Sequence, residues 1–393
     1  MSQALVLRPG GAVDLVSLAP QGETSRRAII SAPATPTLLA WPTWAPDGRR
    51  FAFSRYTRVE GGGFRCSVEL ADVAQAVSGI IFDDVESPRN LIAVATPHYL
   101  HWSPNGRWLL VLTAVKEGLA LVLVDPAGDE RPQPIVQGAP LFSSWAQDGS
   151  AAALHAANRL FIYRPPAQAE AVPLAGPEPR FRNPQFAPDG ERLTIVSGLP
   201  RRRSRLVVVR PDGSGLARLA DLDDVGVFEW APTGAWLAYS QVLDAELGTF
   251  DGIRLVSLDG RTQRRLVGGP ILAFFWSPDG TRLAVLRQAD TDGLLGLDVV
   301  EAASGAWKTV ARFYPTAELR LLVAFFDQYA RSHRLWSADS RFVLCCGRLR
   351  TNGRPVETGG TPRAYAAAAD GSAPPVDFGP ADLAFFAPVE PPG

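Results

Sequence analysis

The chain alternates short apolar segments with polar turns along nearly its whole length. Runs rich in Leu, Val, Ala and Phe are bounded at close intervals by Gly, Pro, Asp and Asn, as in residues 51–63. Apolar runs of this length between turn residues predict β-strands rather than helices. Since these turn signals continue to the C-terminus, the pattern favours an all-β fold without long helices.

A longer repeat is superimposed on this alternation. An aromatic residue is followed by a turn of the type Ser/Ala-Pro-Asp/Asn-Gly, in full or degenerate form, and we call this aromatic residue the anchor of its unit. The anchors are Trp44, Trp102, Trp145, Phe186, Trp230, Trp276, Trp336 and, in a shortened copy, Phe386. They lie 41 to 60 residues apart, which is the period of a four-stranded propeller blade.

Each residue of the repeat has a physical role in reversing the chain. Proline presets φ at the second turn position, Asp or Asn tolerates the tight bend, and Gly accepts positive φ. The anchor ends one strand and can pack between neighbouring blades. After each turn the pattern predicts second, third and fourth strands. Third strands are expected at 66–70, 119–124, 160–163, 206–209, 253–258, 294–300 and 364–369, and fourth strands at 91–95, 171–174, 264–267 and 308–311.

The two ends of the chain complement each other. Residues 4–7, 13–18 and 26–30 resemble second, third and fourth strands, whereas residues 383–386 resemble a first strand. Pairing them would build a closing blade from about 1–31 plus 381–390 and leave no free sheet edge. The prediction is a single all-β domain over 1–393, an eight-bladed β-propeller of four-stranded antiparallel blades, with seven blades as the alternative.

The repeat also resembles a known family. The motif Trp276-Ser-Pro-Asp-Gly280, the strand end Leu258-Asp-Gly260 and the following Arg264-Arg-Leu266 resemble the PD40 (WD40-like) repeats of TolB-like β-propellers. They are more weakly similar to the propeller domains of prolyl-oligopeptidase-type peptidases. The resemblance covers essentially the whole chain and implies the fold. Because propellers include scaffolds, binding proteins and enzymes, it implies no single activity.

Composition narrows the classes of partner. The 39 basic and 40 acidic side chains give a formal charge of −1, which argues against general nucleic-acid binding. No apolar stretch is long enough for membrane insertion. Three cysteines and an N-terminus without a signal peptide lead us to expect a location in the cytoplasm. We also expect a monomer.

Catalytic motifs are missing from the sequence. It has no Gly-x-Ser-x-Gly elbow, P-loop or His-Glu-x-x-His, so we expect a non-enzymatic scaffold with no catalytic residues and no cofactor. The alternative is a metal-dependent hydrolase or lyase. Its divalent metal would lie in the central channel, which first strands line, and would be held by His98, His101 and His333 with Asp327. The same imidazoles could instead pair with carbonyl groups of the channel wall.

One insertion interrupts the repeat. Residues 315–334, here called the insertion, form a blade-to-blade link far longer than the others and contain the candidate binding residues Asp327, Gln328, Tyr329, Arg331 and His333. Aromatic, polar and ionisable groups mixed in this way are typical of a recognition surface. The sequence predicts binding of a protein or peptide partner here, or a plug in the channel.

Charged links are expected on the same face as the insertion. Arg201, Arg202 and Arg203 lie in one link, Arg350 borders another, and Asp290 lies in a third. Together with His101 these arginines complete the predicted binding site, since a partner of complementary charge could dock on them. The alternative is a merely solvated loop face. Residues 71–90 form a second predicted insertion, whose apolar part either caps the first blade or serves as a docking element.

Overall fold

A computed structural model describes residues 1–60, 62–84, 91–157, 159–167, 169–172, 183–198, 203–350 and 360–389. Antiparallel sheets dominate these ranges, as predicted, and six of the sheets have four strands. A seventh sheet has seven strands because β27 pairs with β28, which joins two successive units. No helix in these ranges is long and apolar enough to cross a membrane.

The strands follow one another in the predicted order. The first half of the chain contains β1 Ser2–Leu7, β2 Val13–Leu18, β3 Thr24–Ile30, β4 Thr37–Trp44, β5 Arg50–Arg58, β6 Phe64–Asp72, β7 Val77–Asp84, β8 His98–Trp102, β9 Leu109–Val115, β10 Gly118–Val124, β11 Gln133–Gly138, β12 Leu141–Trp145, β13 Ala152–Ala156, β14 Arg159–Tyr163, β15 Glu170–Ala171, β16 Gln185–Phe186 and β17 Leu193–Gly198.

The second half continues the pattern and includes the helices. It contains β18 Ser204–Val209, β19 Ala217–Leu222, β20 Gly226–Trp230, β21 Leu237–Asp244, β22 Thr249–Val256, β23 Gln263–Ile271, β24 Ala273–Trp276, β25 Arg282–Gln288, β26 Leu295–Glu301, β27 Trp307–Pro315, α1 Ala317–Ala324, α2 Phe326–Tyr329, β28 Phe342–Leu349, β29 Arg363–Ala368, β30 Val376–Pro380 and β31 Leu383–Phe386.

The fourth strand of the first unit differs from the prediction. It is β7, which pairs with β6, and residues 91–95, which we expected to fill this place, form no strand. The chain reverses early because the Asp72 carboxylate accepts hydrogen bonds from the backbone N–H groups of Ala74 and Gln75. The prediction that residues 71–90 form an insertion is therefore wrong for residues 71–84, because these residues belong to an ordinary outer hairpin. Residues 85–90 lie outside the described ranges.

The two chain ends pair as predicted. β31 lies antiparallel to β1, with Ala4 opposite Phe386 and Leu7 opposite Leu383. The resulting sheet has the order β3-β2-β1-β31. The N- and C-terminal segments thus share one four-stranded sheet with the same layout as the internal units.

Tryptophan anchors connect neighbouring sheets through their indole groups. Five of the indole N–H groups donate to a backbone carbonyl of the preceding inner strand, at the residue directly before that strand's own anchor. The bonds run from Trp44 to Phe385 (2.9 Å), Trp102 to Thr43 (3.2 Å), Trp145 to His101 (3.2 Å), Trp276 to Glu229 (3.1 Å) and Trp336 to Phe275 (3.0 Å). Phe186 has no N–H, and the adjacent Gln185 donates instead to the carbonyl of Phe228, which lies on the next sheet (2.8 Å). The repeat therefore specifies contacts between sheets as well as turns.

Trp44→Phe tests the link between the first sheet and the sheet formed by the chain ends. The variant keeps an aromatic ring but leaves the buried carbonyl of Phe385 without its donor, so we expect the free energy of unfolding to fall by about 1–3 kcal/mol. Urea denaturation measures the loss. Trp307→Phe is the control, because that ring is 61% exposed, and its effect should stay below about 0.5 kcal/mol. Equal effects of the two variants would contradict this account of the anchors.

The helices lie in the insertion and pack into the centre of the sheet array. Thr316 caps α1, since its hydroxyl accepts a hydrogen bond from Leu319 N. In α2 the ring of Phe326 lies 5.0 Å from that of Phe274, and Tyr329 lies 4.9 Å from Trp41 and 5.0 Å from Tyr99. Helices α1 and α2, which we call the plug, therefore fill part of the space that the first strands surround.

Candidate functional site

Side chains at two positions of the first strands face the central channel. One is the residue directly before an anchor, such as Gln185, and the other is the residue three before it, such as Tyr99; members of both kinds contact the insertion. Tyr99 donates from its hydroxyl to the carbonyl of Gln328 (2.8 Å), and Asn183 donates from its side-chain amide to the carbonyl of Asp327 (2.7 Å). Bonds from separate sheets thus fix the plug in place.

Four of the five candidate residues of the insertion lie in the protein interior. Asp327, Gln328, Tyr329 and His333 are all buried, whereas the side chain of Arg331 is 25% exposed. Their packing matches the plug interpretation that the sequence left open. A partner on the face where the insertion enters would not reach these buried groups, and their role in binding stays a prediction.

The two channel histidines are neutral at physiological pH. Burial lowers the pKa of His333 to about 3, and its ring nitrogens contact the hydroxyls of Ser332 (2.7 Å) and Thr43 (3.0 Å). Burial also lowers the pKa of His101 to about 3, and the positive charge of Arg331 adds to the effect. The Nδ1 atom of His101 has no hydrogen-bond partner in the described part of the chain.

His98 belongs to a separate buried network. Its Nδ1 contacts the Ser54 hydroxyl at 3.0 Å and its Nε2 lies 3.4 Å from the Asp84 carboxylate, which also accepts a hydrogen bond from Thr113. The residue types are those of a hydrolase triad, but Ser54 and His98 are both 0% exposed and no substrate could reach them. Among the residues that the structure describes, no three His, Cys, Asp or Glu side chains form a group that could hold a metal ion.

The arginine-rich links are only partly described. Arg201 and Arg202 lie outside the described ranges, and Arg203 is exposed. Arg350 is also exposed, and its guanidinium lies 3.6 Å from the carboxylate of Asp290. Since this acidic link pairs with a basic one, part of the charge that we expected to attract a partner is neutralised within the protein.

A cavity opens on the face formed by the turns that follow the anchors, here called the turn face. Its volume is about 470 Å³. Every anchor lines it, together with the turn prolines Pro46, Pro104, Pro188, Pro232, Pro278 and Pro388. The polar lining includes Arg331 and Arg334 from the end of the insertion and His101 and Glu229 from two first strands. The plug and this turn-face cavity thus share the channel.

Glu229 is the carboxylate of the turn-face cavity. It accepts a hydrogen bond from the side chain of Gln185 (2.8 Å), and Arg331 Nε lies 3.6 Å from its other oxygen. Arg331 also donates to the Gln185 side-chain oxygen (3.0 Å). Burial raises the pKa of Glu229 to about 7 even though Arg331 opposes the shift. Glu229 therefore changes its charge near neutral pH.

The sequence contained a signal for some of the residues that we missed. Thr43, Gln185 and Glu229 occupy the same position as His101, directly before an anchor, and this position faces the channel. Applying that rule to every unit would have added Gln185 and Glu229 to the candidates. Arg334 lies two residues before Trp336 and breaks the rule, because it belongs to the end of the insertion.

Comparison with known proteins identifies the fold. No protein-family model matches the sequence, and no curated protein is significantly similar to it. Among solved structures, dihydro-heme d1 dehydrogenase NirN in complex with DHE matches 98% of this chain and 75% of its own, at 15% identity and a TM-score of 0.56. A prolyl endopeptidase matches 93% of this chain and 54% of its own, at 10% identity and a TM-score of 0.53. The fold is a β-propeller.

The predicted resemblance holds at the level of fold. TolB from Acinetobacter baumannii matches 90% of this propeller and 83% of its own chain, at 13% identity and a TM-score of 0.42, and oligogalacturonate lyases are among the other matches. The predicted similarity to the propeller domains of prolyl-oligopeptidase-type peptidases is confirmed at the level of fold by the match to a prolyl endopeptidase. Sequence identities this low show that the folds are similar, but they do not show that the proteins share an activity.

Proposed function

We propose that this propeller is a non-enzymatic module that binds a protein or peptide partner in the turn-face cavity. The observation that carries the proposal is the cavity itself, which is lined by all eight anchors and by the prolines of six of their turns. Concave sites with mostly apolar walls and a few polar groups are the usual form of ligand sites. A volume of about 470 Å³ suits a short peptide segment or an exposed loop of a partner.

The proposal includes a closed ring of eight blades. All eight anchors line the same cavity. The sheet formed by the chain ends bonds to both of its neighbours, because Trp44 donates to the carbonyl of Phe385 and Phe386 N donates to the carbonyl of Arg334 (2.9 Å). A ring without free edges would give the rigid rim that peptide recognition requires.

We place the partner on the turn face rather than on the face where the insertion enters, which the sequence favoured. The reason is that most of the predicted contact residues are buried, and Arg331, which remains partly exposed, lines the turn-face cavity. The metal-dependent hydrolase or lyase has weaker support. His98 and His333 are bound to neighbouring side chains, and no group of described residues is arranged as metal ligands.

Selection from a displayed peptide library, followed by titration of the selected peptides, tests the proposal. Pro104→Trp narrows the cavity mouth and is expected to weaken binding at least tenfold. Pro211→Trp is the matched control. It changes the same position of the same kind of turn, since both turns close with a Gly N to carbonyl bond of 2.8 Å, but Pro211 does not line the cavity. Binding by the control should be unchanged.

The same selected peptides distinguish the two faces. A double variant, Arg203→Glu with Arg350→Glu, reverses charge on the face where the insertion enters and should leave binding intact. If it abolishes binding while Pro104→Trp does not, the site lies on that face and our placement is wrong. If no peptide is selected in repeated screens, the proposed function itself is wrong.

A further inference from the structure

The polar groups of the turn-face cavity have an excess of positive charge. Arg331 and Arg334 both line the cavity, whereas Glu229 is the carboxylate among the lining residues. Asp327, the other carboxylate that acts on Glu229, is buried in the plug and does not line the cavity. Because the pKa of Glu229 is about 7, this carboxylate neutralises at most part of the charge of the two arginines at neutral pH.

Among the described residues that line the cavity, Arg334 is a cation without a counter-charge. Its backbone carbonyl accepts a bond from Phe386 N, but within the described ranges its guanidinium has neither an ion pair nor a hydrogen bond. The side chain is exposed to the cavity, and the surrounding protein lowers the pKa of its guanidinium by desolvation. Such a group gains from an anion, since charge-assisted pairs with carboxylates are strong and often bidentate.

His101 is a second unsatisfied group on the same cavity. It is buried, lines the cavity, and its Nδ1 lacks a partner in the part of the chain that the structure describes. A backbone hydrogen bond at Ser143 engages the ring. Because Nδ1 is itself buried, the imidazole adds a neutral polar edge to the cavity wall and no charge that would offset the two arginines.

We infer that the turn-face cavity recognises a carboxylate of the bound peptide, with Arg334 as its main ionic contact and Arg331 as the second. This inference rests on the proposed function and specifies the chemistry of the ligand. Either an Asp or Glu side chain or the C-terminal carboxylate supplies the group. Both present the same pair of oxygens to a guanidinium, and the experiment separates them.

Binding of the carboxylate is coupled to Glu229. An anion that pairs with Arg331 competes with Glu229 for the same guanidinium and so favours the protonated form of Glu229. Affinity therefore decreases as pH rises through the pKa of about 7. Gln185 and Arg331 contact Glu229, and His101 and His333, whose pKa values are about 3, do not change charge in this range.

The test uses isothermal titration with matched synthetic versions of a selected peptide. One version has a free C-terminus, a second has an amidated C-terminus, and a third is amidated with every Asp and Glu replaced by the amide residue. We expect the third to bind at least tenfold more weakly than the best of the other two. The comparison of the first two identifies which carboxylate is bound.

Arg334→Gln should remove most of that preference, because only the second ionic contact at Arg331 remains, whereas Arg334→Lys should retain more of it. The control is Arg107→Gln, which removes an exposed arginine of the turn face that does not line the cavity; the preference should persist. Near-ultraviolet circular dichroism of each variant verifies that the fold is kept.

Two results separate this inference from the proposed function. Peptides that are blocked by Pro104→Trp but bind equally with and without carboxylates would overturn the inference and leave the function intact. A carboxylate preference that is undiminished in Arg334→Gln would also overturn it. For the wild type, affinity at pH 6 should exceed that at pH 8 by up to about tenfold, and Glu229→Gln should abolish most of this difference. An unchanged pH dependence in that variant would contradict the coupling to Glu229.

Discussion

Phe326→Ala is expected to lower the free energy of unfolding by about 3–5 kcal/mol, the range for removing a buried aromatic side chain from a packed interior. Phe326 is 1% exposed and its ring contacts those of Phe250, Phe274 and Phe275. The variant leaves a void at the centre of the channel, where rings from separate sheets converge. Chemical denaturation followed by tryptophan fluorescence measures the loss.

The neighbouring phenylalanine provides a control for this prediction. Phe325 separates α1 from α2 and is 43% exposed, so Phe325→Ala should cost no more than about 1 kcal/mol. The contrast matters because the two residues are adjacent in sequence and chemically identical. A loss below about 1 kcal/mol for Phe326→Ala would show that the plug does not stabilise the propeller.

The second large effect concerns pH. Glu229 has a pKa of about 7 in the folded protein against 4.5 for an unperturbed glutamate, so the folded state binds more protons than the unfolded state between these values. The protonated, neutral form of Glu229 therefore contributes about 3 kcal/mol to the free energy of unfolding. This contribution is complete below pH 4.5 and is lost as pH rises through 7. Glu229→Gln keeps a neutral side chain and removes this loss.

The measurement for Glu229 is the difference in unfolding free energy between the variant and the wild type at several pH values. Relative to the wild type, Glu229→Gln should become more stable as pH increases from 5 to 8. Taking a difference removes the contribution of the other carboxylates, some of which have lowered pKa values, such as Asp47 and Asp279. A difference that does not change with pH would contradict the raised pKa of Glu229.

The repeat allowed most of the fold to be predicted because the determinants of each strand are local. The anchor, the proline and the glycine mark where one strand ends and the next begins, and the first strand at residues 383–386 was predicted with the bounds that the structure has. The missed strand β7 shows the limit of this approach. Val77 and Ile80 are exposed, so the segment lacks the buried apolar pattern that identified the others.

The helices of the insertion also left a trace in the sequence. Leu319, Leu322, Val323 and Phe326 recur at helical spacing after the capping residue Thr316, and all four are buried. Our prediction of a binding site relied instead on the polar residues at the end of the insertion, whose side chains are typical of recognition surfaces. The periodicity of the apolar residues would have predicted a packed helix and therefore favoured the plug.

The chemistry of the turn-face cavity was beyond prediction for a physical reason. Glu229 and Arg331 are far apart in sequence and meet only because the insertion crosses the channel toward another sheet. Whether an arginine such as Arg334 is paired or left without a counter-charge depends on every strand around it. Such properties follow from how the sheets and the insertion pack together rather than from any local motif.

A crystal structure of the protein with a selected peptide would test the central claim most directly. We predict peptide density on the turn face, between the ring of prolines and the end of the insertion, with a carboxylate within hydrogen-bond distance of Arg334. Density on the opposite face, beside Arg203 and Arg350, with the turn-face cavity empty, would contradict the account.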